Sequence, residues 1–171
     1  MRAVYSLEAM KINEFIHSYP AKPAQKPALN GDENRQLTAQ DGVRILVWPP
    51  PLGVERKVPT KSGDPGCHLW VIVPNQIPFL AEKAPISPPL TSGVVKHTNL
   101  TGGNPACCGG EVWFDPAFEN LLYVNGCSGR YGPDTPEQLV AVEDVFRALG
   151  YSVSGFGWDP DAHRPAKVFR P

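Results

Sequence analysis

Four segments in the body of the chain have the hydrophobic patterns of strands. Residues 68–73 are almost continuously apolar, which is typical of a central strand. In residues 43–48, Val43, Ile45 and Val47 alternate with their neighbours, and the prolines 49–51 end the run, so we predict a half-buried strand. Residues 111–115 and 121–125 are two short runs separated by a loop, and they predict an antiparallel hairpin.

The strongest local pattern predicts a helix over residues 136–149. Thr135 is a good N-cap, Pro136 suits the first helical position, and Gln138 completes a capping box. Apolar residues then recur at steps of three and four, and Gly150 ends the pattern. We therefore expect an amphipathic helix that buries one side against a sheet.

The remaining patterns complete an α+β fold. We predict a short helix from Ser6 to His17, a polar, proline-bearing arm over residues 19–40, and further strands at 77–81, 94–97 and 151–158. The expected architecture is an antiparallel or mixed sheet covered by one late amphipathic helix, with a short N-terminal helix. Residues 1–40 form the N-terminal helix and irregular arm, and residues 41–171 form a single α+β domain.

Composition and charge narrow the function classes. The 171 residues include 42% hydrophobic residues and carry a net charge of −1, which suits a globular protein and makes nucleic acid an unfavoured partner. No stretch approaches the roughly 20 apolar residues of a membrane span. The N-terminus has no apolar core followed by a cleavage site, so we expect a cytoplasmic protein, or one exported without a cleavable signal peptide.

The candidate chemistry is concentrated in the glycine-punctuated stretch 96–133. His97 titrates near neutrality, Glu111 can exchange a proton, Arg130 offers a fork for anions, and Tyr131 offers a stacking face. Asp159 ends the predicted closing strand beside the same region. We predict these as the catalytic residues: His97, Tyr131, Glu111 and Asp159. The predicted ligand-binding residues are Lys96, Thr98, Ser128 and Arg130.

Each of these residues also has a purely structural interpretation. His97 can be a hydrogen-bonded structural histidine, and Glu111 a solvated carboxylate at a strand edge. Tyr131 can pack on Phe146, and Arg130 can form a surface ion pair with Asp134. These interpretations stay open at the level of sequence.

The four cysteines do not form a CxxC pair, and we expect them to be reduced. A zinc site from Cys67, His68, Cys107 and Cys127 matches no common ligand spacing, so no metal is predicted. Cys127, in a turn before Ser128 and Gly129, remains a candidate for thiol chemistry without an assignable base.

Three motifs resemble those of a poorly characterised domain at the C-termini of bacterial polymorphic toxins and effectors, which also occurs in plant calmodulin-binding IQ-motif proteins. The motifs are Lys96-His97-Thr98, Gly110-Glu111-Val112 and the run from Asn125 to Pro133, which contains Ser128-Gly129-Arg130-Tyr131. The resemblance covers roughly residues 67–155 and implies an effector-like domain. Because the chain has no IQ motif, a calmodulin partner does not carry over.

Three functions follow from these residues. The first is ADP-ribosyl transfer with NAD as substrate, because the chain resembles ADP-ribosyltransferases in its strand-end histidine, later tyrosine and acidic residue. In that reaction His97 would hold the ribose and Tyr131 would stack on nicotinamide. Glu111 or Asp159 would supply the carboxylate. In a metal-independent ribonuclease, His97 and Glu111 would be the acid–base pair, and Lys96 and Arg130 would stabilise the transition state. The third function is a non-catalytic module that binds a protein or nucleotide ligand.

Overall fold

A computed structural model describes residues 7–171, which form an α+β fold around a six-stranded mixed sheet. The strand order is β1-β3-β2-β4-β5-β6, and all neighbours are antiparallel except β5 and β6, which are parallel. The strands are β1 (Arg44–Ile45), β2 (His68–Ile72), β3 (Pro78–Ala81), β4 (Cys108–Phe114), β5 (Leu121–Asn125) and β6 (Ser152–Gly155). A separate hairpin pairs β7 (Trp158–Asp159) with β8 (Arg164–Pro165). The predicted fold class is confirmed.

The helices are α1 (Leu7–Ser18), α2 (Thr98–Thr101) and α3 (Pro136–Leu149). The bounds of α3 agree with the prediction because its caps are local. The Thr135 hydroxyl accepts a hydrogen bond from the Gln138 amide, and Gly150 adopts the left-handed conformation at the C-terminus. The predicted cap of α1, Ser6, lies outside the described residues.

One face of the sheet is covered by helices. Trp70 and Phe146 meet edge to face with ring centroids 5.2 Å apart, and both are fully buried. Ile12 and Phe15 of α1 belong to the same core cluster. The expectation of a single covering helix is therefore too narrow, because α1 packs beside α3 on this helix face.

The opposite face is covered by loops. Leu69, Val71 and Trp113 alternate with the residues of the helix face and lie in a second core cluster. Phe156 stacks on Trp113 at 5.4 Å and is contributed by the segment that follows β6. This loop face, with its irregular polypeptide cover, is where polar groups can reach the sheet.

The arm over residues 19–40 is integrated into the loop face. Lys22 and Ala106 exchange both backbone hydrogen bonds. The Asn99 side-chain amide donates to the carbonyls of Asp32 and Arg35, both at 2.9 Å. The arm therefore packs on the domain that the sequence analysis separated from it.

Several predicted strands are shorter or absent. Residues 94–97 are a loop, because the Lys96 amide donates to the Asn99 side chain and the chain turns into α2. The strand predicted over 151–158 is divided into β6 and β7 by Gly157, whose φ is +80°. In the segment 43–48 the buried residue is Leu46, whereas Val47 and Trp48 are about half exposed, since β1 ends at Ile45.

Among residues 7–171, no helix is both long enough and apolar enough to cross a bilayer.

Candidate functional site

A cleft of about 640 Å³ opens on the loop face, beside the C-terminal end of β5. Its walls come from four segments that are distant in sequence: the arm, residues 95–97, residues 126–134 and residues 163–167. The volume lies within the range of small-molecule sites in proteins. The tertiary fold therefore builds one polar cavity around the stretch 96–133.

Glu111 provides a buried carboxylate to this cleft. Its position on β4, opposite Asn125 on β5, directs its side chain to the loop face, where it is only 5% exposed. One carboxylate oxygen accepts a hydrogen bond from the Asn125 side-chain amide at 2.7 Å, and the other accepts one from the Ser62 hydroxyl at 3.0 Å. Burial raises the pKa of Glu111, and these two hydrogen bonds oppose the rise. The carboxyl group is thus fixed in position and holds its proton more readily than an exposed glutamate.

His97 provides a neutral imidazole. Its Nε2 lies 2.8 Å from the Gly110 carbonyl oxygen, which can only accept, so Nε2 carries the proton and Nδ1 keeps its lone pair. Burial lowers the pKa of His97 to about 4, and the charge of Lys96 adds to the effect. Space for the ring depends on Gly109, because a Cβ there would lie 3.2 Å from the His97 ring.

The Nδ1 atom of His97 remains available to a ligand. Within residues 7–171 no hydrogen bond to this nitrogen is formed. In the part of the chain that the structure describes, Nδ1 is not one of the unpaired side-chain atoms that are fully buried. It is therefore accessible, although the residue as a whole is only 7% exposed. His97 and Glu111 both line the cleft, and Nδ1 is the nitrogen of His97 that can accept a proton.

Arg130 lines the cleft but is already paired. Its guanidinium lies 2.6 Å from a carboxylate oxygen of Glu33, and the two side chains are only 11% and 1% exposed. Asp134, its expected partner, instead pairs with Lys22 at 2.5 Å. Because a buried charge is costly to leave unpaired, Arg130 fixes the arm to the wall of the cleft rather than serving as a free anion fork.

Two of the predicted catalytic residues lie outside the cleft. The Tyr131 hydroxyl is 2.9 Å from the Thr101 hydroxyl and donates to the Asn104 carbonyl at 2.8 Å, inside the loop-face core. It does not pack on Phe146, which belongs to the helix-face cluster. Asp159 accepts backbone hydrogen bonds in the turn between β7 and β8.

The cleft therefore brings together five of the eight predicted site residues: Lys96, His97, Glu111, Ser128 and Arg130. Thr98 is buried, and its hydroxyl donates to the Glu33 carbonyl at 2.5 Å. Three predicted site residues therefore lie outside the cleft: Thr98, Tyr131 and Asp159.

Several residues that share the cleft were not predicted from the sequence, among them Ser62, Glu82, Arg164 and Lys167. None of them belongs to a motif, and they reach the cavity only because loops distant in the chain pack together. Cys127 was visible in its glycine-flanked turn. In the structure burial, together with the negative charge of Glu111, raises the pKa of the Cys127 thiol to about 11.

A metal could find three donors in the cleft region. Within residues 7–171, Cys67, Glu82 and Glu111 each offer one ligand atom, and these atoms lie within 4.8 Å of one another. The cysteine–histidine set considered from sequence is not brought together. His68 lies on the helix face against Phe114, with ring centroids 5.1 Å apart.

Comparison of the chain with protein-family models, with curated proteins and with solved structures gives no match.

Proposed function

We propose that the chain is an acid–base enzyme that cleaves a phosphodiester of RNA without requiring a metal. The observation that supports this proposal is the pair formed by Glu111 and His97 in one cleft, with pKa values displaced in opposite directions. Titratable groups that share a cleft and have perturbed pKa values are typical of catalytic acids and bases. At neutral pH His97 is the proton acceptor, and the protonated fraction of Glu111 is the donor.

The reaction uses both groups on RNA. His97 Nδ1 takes the proton of the ribose 2′-hydroxyl, whose oxygen attacks the adjacent phosphorus. The bond from phosphorus to the 5′-oxygen breaks, and Glu111 gives that oxygen its proton, so a 2′,3′-cyclic phosphate and a 5′-hydroxyl end result. Lys96 lines the cleft without forming a salt bridge to any described residue and can offset charge on the phosphorane. With the toxin-like motifs, this chemistry would make the chain an effector-like nuclease.

ADP-ribosyl transfer is less well supported by the geometry. The proposed stacking residue, Tyr131, and the late acid, Asp159, both lie outside the cleft, and the cleft has no Phe, Tyr or Trp in the lining formed by residues 7–171. Glu111 alone would remain to stabilise the oxocarbenium-like transition state of NAD cleavage. NAD is therefore the comparison substrate in the experiment below.

Cleavage is tested by incubating the purified protein with total RNA in EDTA and, separately, with NAD. We expect RNA fragments that end in 2′,3′-cyclic phosphate, and a loss of at least about 100-fold in rate for Glu111→Gln and for His97→Gln, the contribution of a general acid or base. Glu119→Gln, an exposed carboxylate in the β4–β5 loop, is the matched control and should cleave like the wild type.

Three results would overturn the proposal. Intact RNA with all proteins would do so, as would cleavage that the two cleft substitutions leave unchanged. Release of nicotinamide from NAD, abolished by Glu111→Gln while RNA stays intact, would replace it with the ADP-ribosyl reaction. A protein that binds nucleotides but converts neither substrate would be a binding module.

A further inference from the structure

The turn that follows β5 contains two backbone amides without an acceptor. Of the five consecutive amides from residue 127 to 131, the first donates to the Asn125 side chain, and the last two donate to the Ser128 hydroxyl. The amides of Ser128 and Gly129 donate to no acceptor within residues 7–171. Both residues line the cleft, and nothing lies within 4 Å of the space that a Cβ at Gly129 would take.

Two cations from another segment line the cleft together with this turn. Arg164 and Lys167 line the same cleft, and both are exposed. Neither side chain forms a salt bridge or hydrogen bond to any described residue. The Cys127 thiol, in the residue before Ser128, donates to the Ala166 carbonyl at 3.5 Å, which places the segment that contains both cations beside the turn.

We propose that the Ser128 and Gly129 amides, with Arg164 and Lys167, form a phosphate-binding subsite in the cleft. Consecutive free amides in a turn bind anionic oxygens, an arginine fork matches phosphate geometry, and a lysine adds a point charge. Two amides and two cationic side chains can together donate to the non-bridging oxygens of a phosphate. The subsite deepens the proposed function, because it would hold a non-scissile phosphate of an oligonucleotide while Glu111 and His97 act on the neighbouring one.

If this subsite is used in the reaction, the preferred substrate contains more than one phosphate. A dinucleoside monophosphate would place its single phosphate at the acid–base pair and leave the subsite empty. An oligonucleotide would fill both positions, which favours longer RNA over the shortest substrate.

Binding is tested with inorganic phosphate as the probe, so the test does not depend on turnover. In a titration of ¹⁵N-labelled protein at constant ionic strength, phosphate at millimolar concentration should shift the amide resonances of Ser128 and Gly129, and acetate should not. By calorimetry, Arg164→Met combined with Lys167→Met should weaken phosphate affinity by about tenfold or more. Lys57→Met, at an exposed lysine outside the cleft lining, is the matched control and should bind like the wild type.

The results separate this subsite from the proposed reaction. Glu111→Gln should abolish cleavage and keep phosphate binding, so a phosphate-binding protein without RNA cleavage would retain the subsite and refute the reaction. Unshifted Ser128 and Gly129 amides, equal shifts with acetate, or equal losses in Lys57→Met would overturn the subsite, whether or not RNA is cleaved.

Discussion

At the scale of single residues, the environment of Glu111 matters more than its identity. Sequence placed it on a strand beside glycines, where a solvated carboxylate is common and a catalytic one is also compatible with the pattern. The structure excludes the solvated carboxylate, because Asn125 and Ser62 hold the carboxyl group in a buried position. Burial of an ionisable group costs folding free energy, and such costs are common at functional sites.

We predict that Glu111→Gln stabilises the protein at pH 7 to 8. The raised pKa of Glu111 means that ionisation is less favourable in the folded chain than in the unfolded one, and glutamine removes that cost while its amide can still bond to Asn125 and Ser62. A gain of about 1 kcal/mol would raise the melting temperature by roughly 2–4 °C in calorimetry.

The gain should shrink as the pH falls, since Glu111 then becomes protonated and neutral in the wild type too. Glu119→Gln is the exposed control and should leave the melting temperature within error. A lower melting temperature for Glu111→Gln at pH 8 would show that its hydrogen bonds outweigh the cost of burial.

At the scale of elements, the arm and the short helix α2 form one unit. Asn99, 2% exposed, links the first residues of α2 to two carbonyls of the arm, and Thr98 links them to a third. The ion pair between Glu33 and Arg130 continues the connection to the turn after β5. The elements that carry Lys96, His97 and Ser128 are therefore held together by the arm.

We predict that Asn99→Leu loosens the arm. The substitution removes two hydrogen bonds: the Arg35 carbonyl loses this donor, and the Asp32 carbonyl keeps only the Arg35 amide, a cost of about 0.5–1.5 kcal/mol for each bond. Hydrogen exchange should accelerate over residues 30–37, while β4 and α3 keep their protection. Asn120→Leu, at an exposed asparagine, is the control. Unchanged exchange in the arm would mean that its remaining contacts suffice.

At the scale of the whole molecule, the sheet separates two layers with different tasks. The helix face contains the larger apolar cluster and supplies rigidity, and the loop face combines a second cluster with the polar cleft. Each layer also contains a buried histidine of lowered pKa: His68 on the helix face and His97 on the loop face, both at about 4 because of burial.

We predict that stability falls as the pH is lowered from 6.5 to 4. In this window the unfolded chain binds protons at His68 and His97 that the folded chain does not bind, so the free energy of unfolding decreases as the pH falls. Each histidine contributes at most about 1.4 kcal/mol per pH unit. Urea denaturation between pH 4 and 7 should give a shallower slope for His97→Gln than for the wild type.

The carboxyl groups of raised pKa, including Glu111, act in the opposite direction, but they are present in both proteins and cancel in the comparison. His17→Gln, at an exposed position on α1, is the matched control. Equal slopes for His97→Gln and the wild type would contradict the burial of a neutral His97.

Sequence by itself determined the features that depend on neighbouring residues. The capped helix α3, the β4–β5 hairpin and the central strand β2 follow from local caps and from periods of 3.6 and 2, and the structure confirms them. The glycine-punctuated stretch was also visible as the place of the cleft, since glycine marks turns that no other residue can make easily.

Only the tertiary structure decided which of these residues share a cavity. Tyr131 and Asp159 lie outside the cleft, because Tyr131 forms its hydrogen bond in the loop-face core and Asp159 forms its own in a turn. Arg130 is paired with Glu33, which is 97 positions away in the chain. Ser62, Arg164 and Lys167 enter the cleft because loops far apart in the chain pack on one face of the sheet. The burial of a side chain and the partner it pairs with depend on contacts between segments that are distant in the sequence. A local sequence pattern does not contain that information.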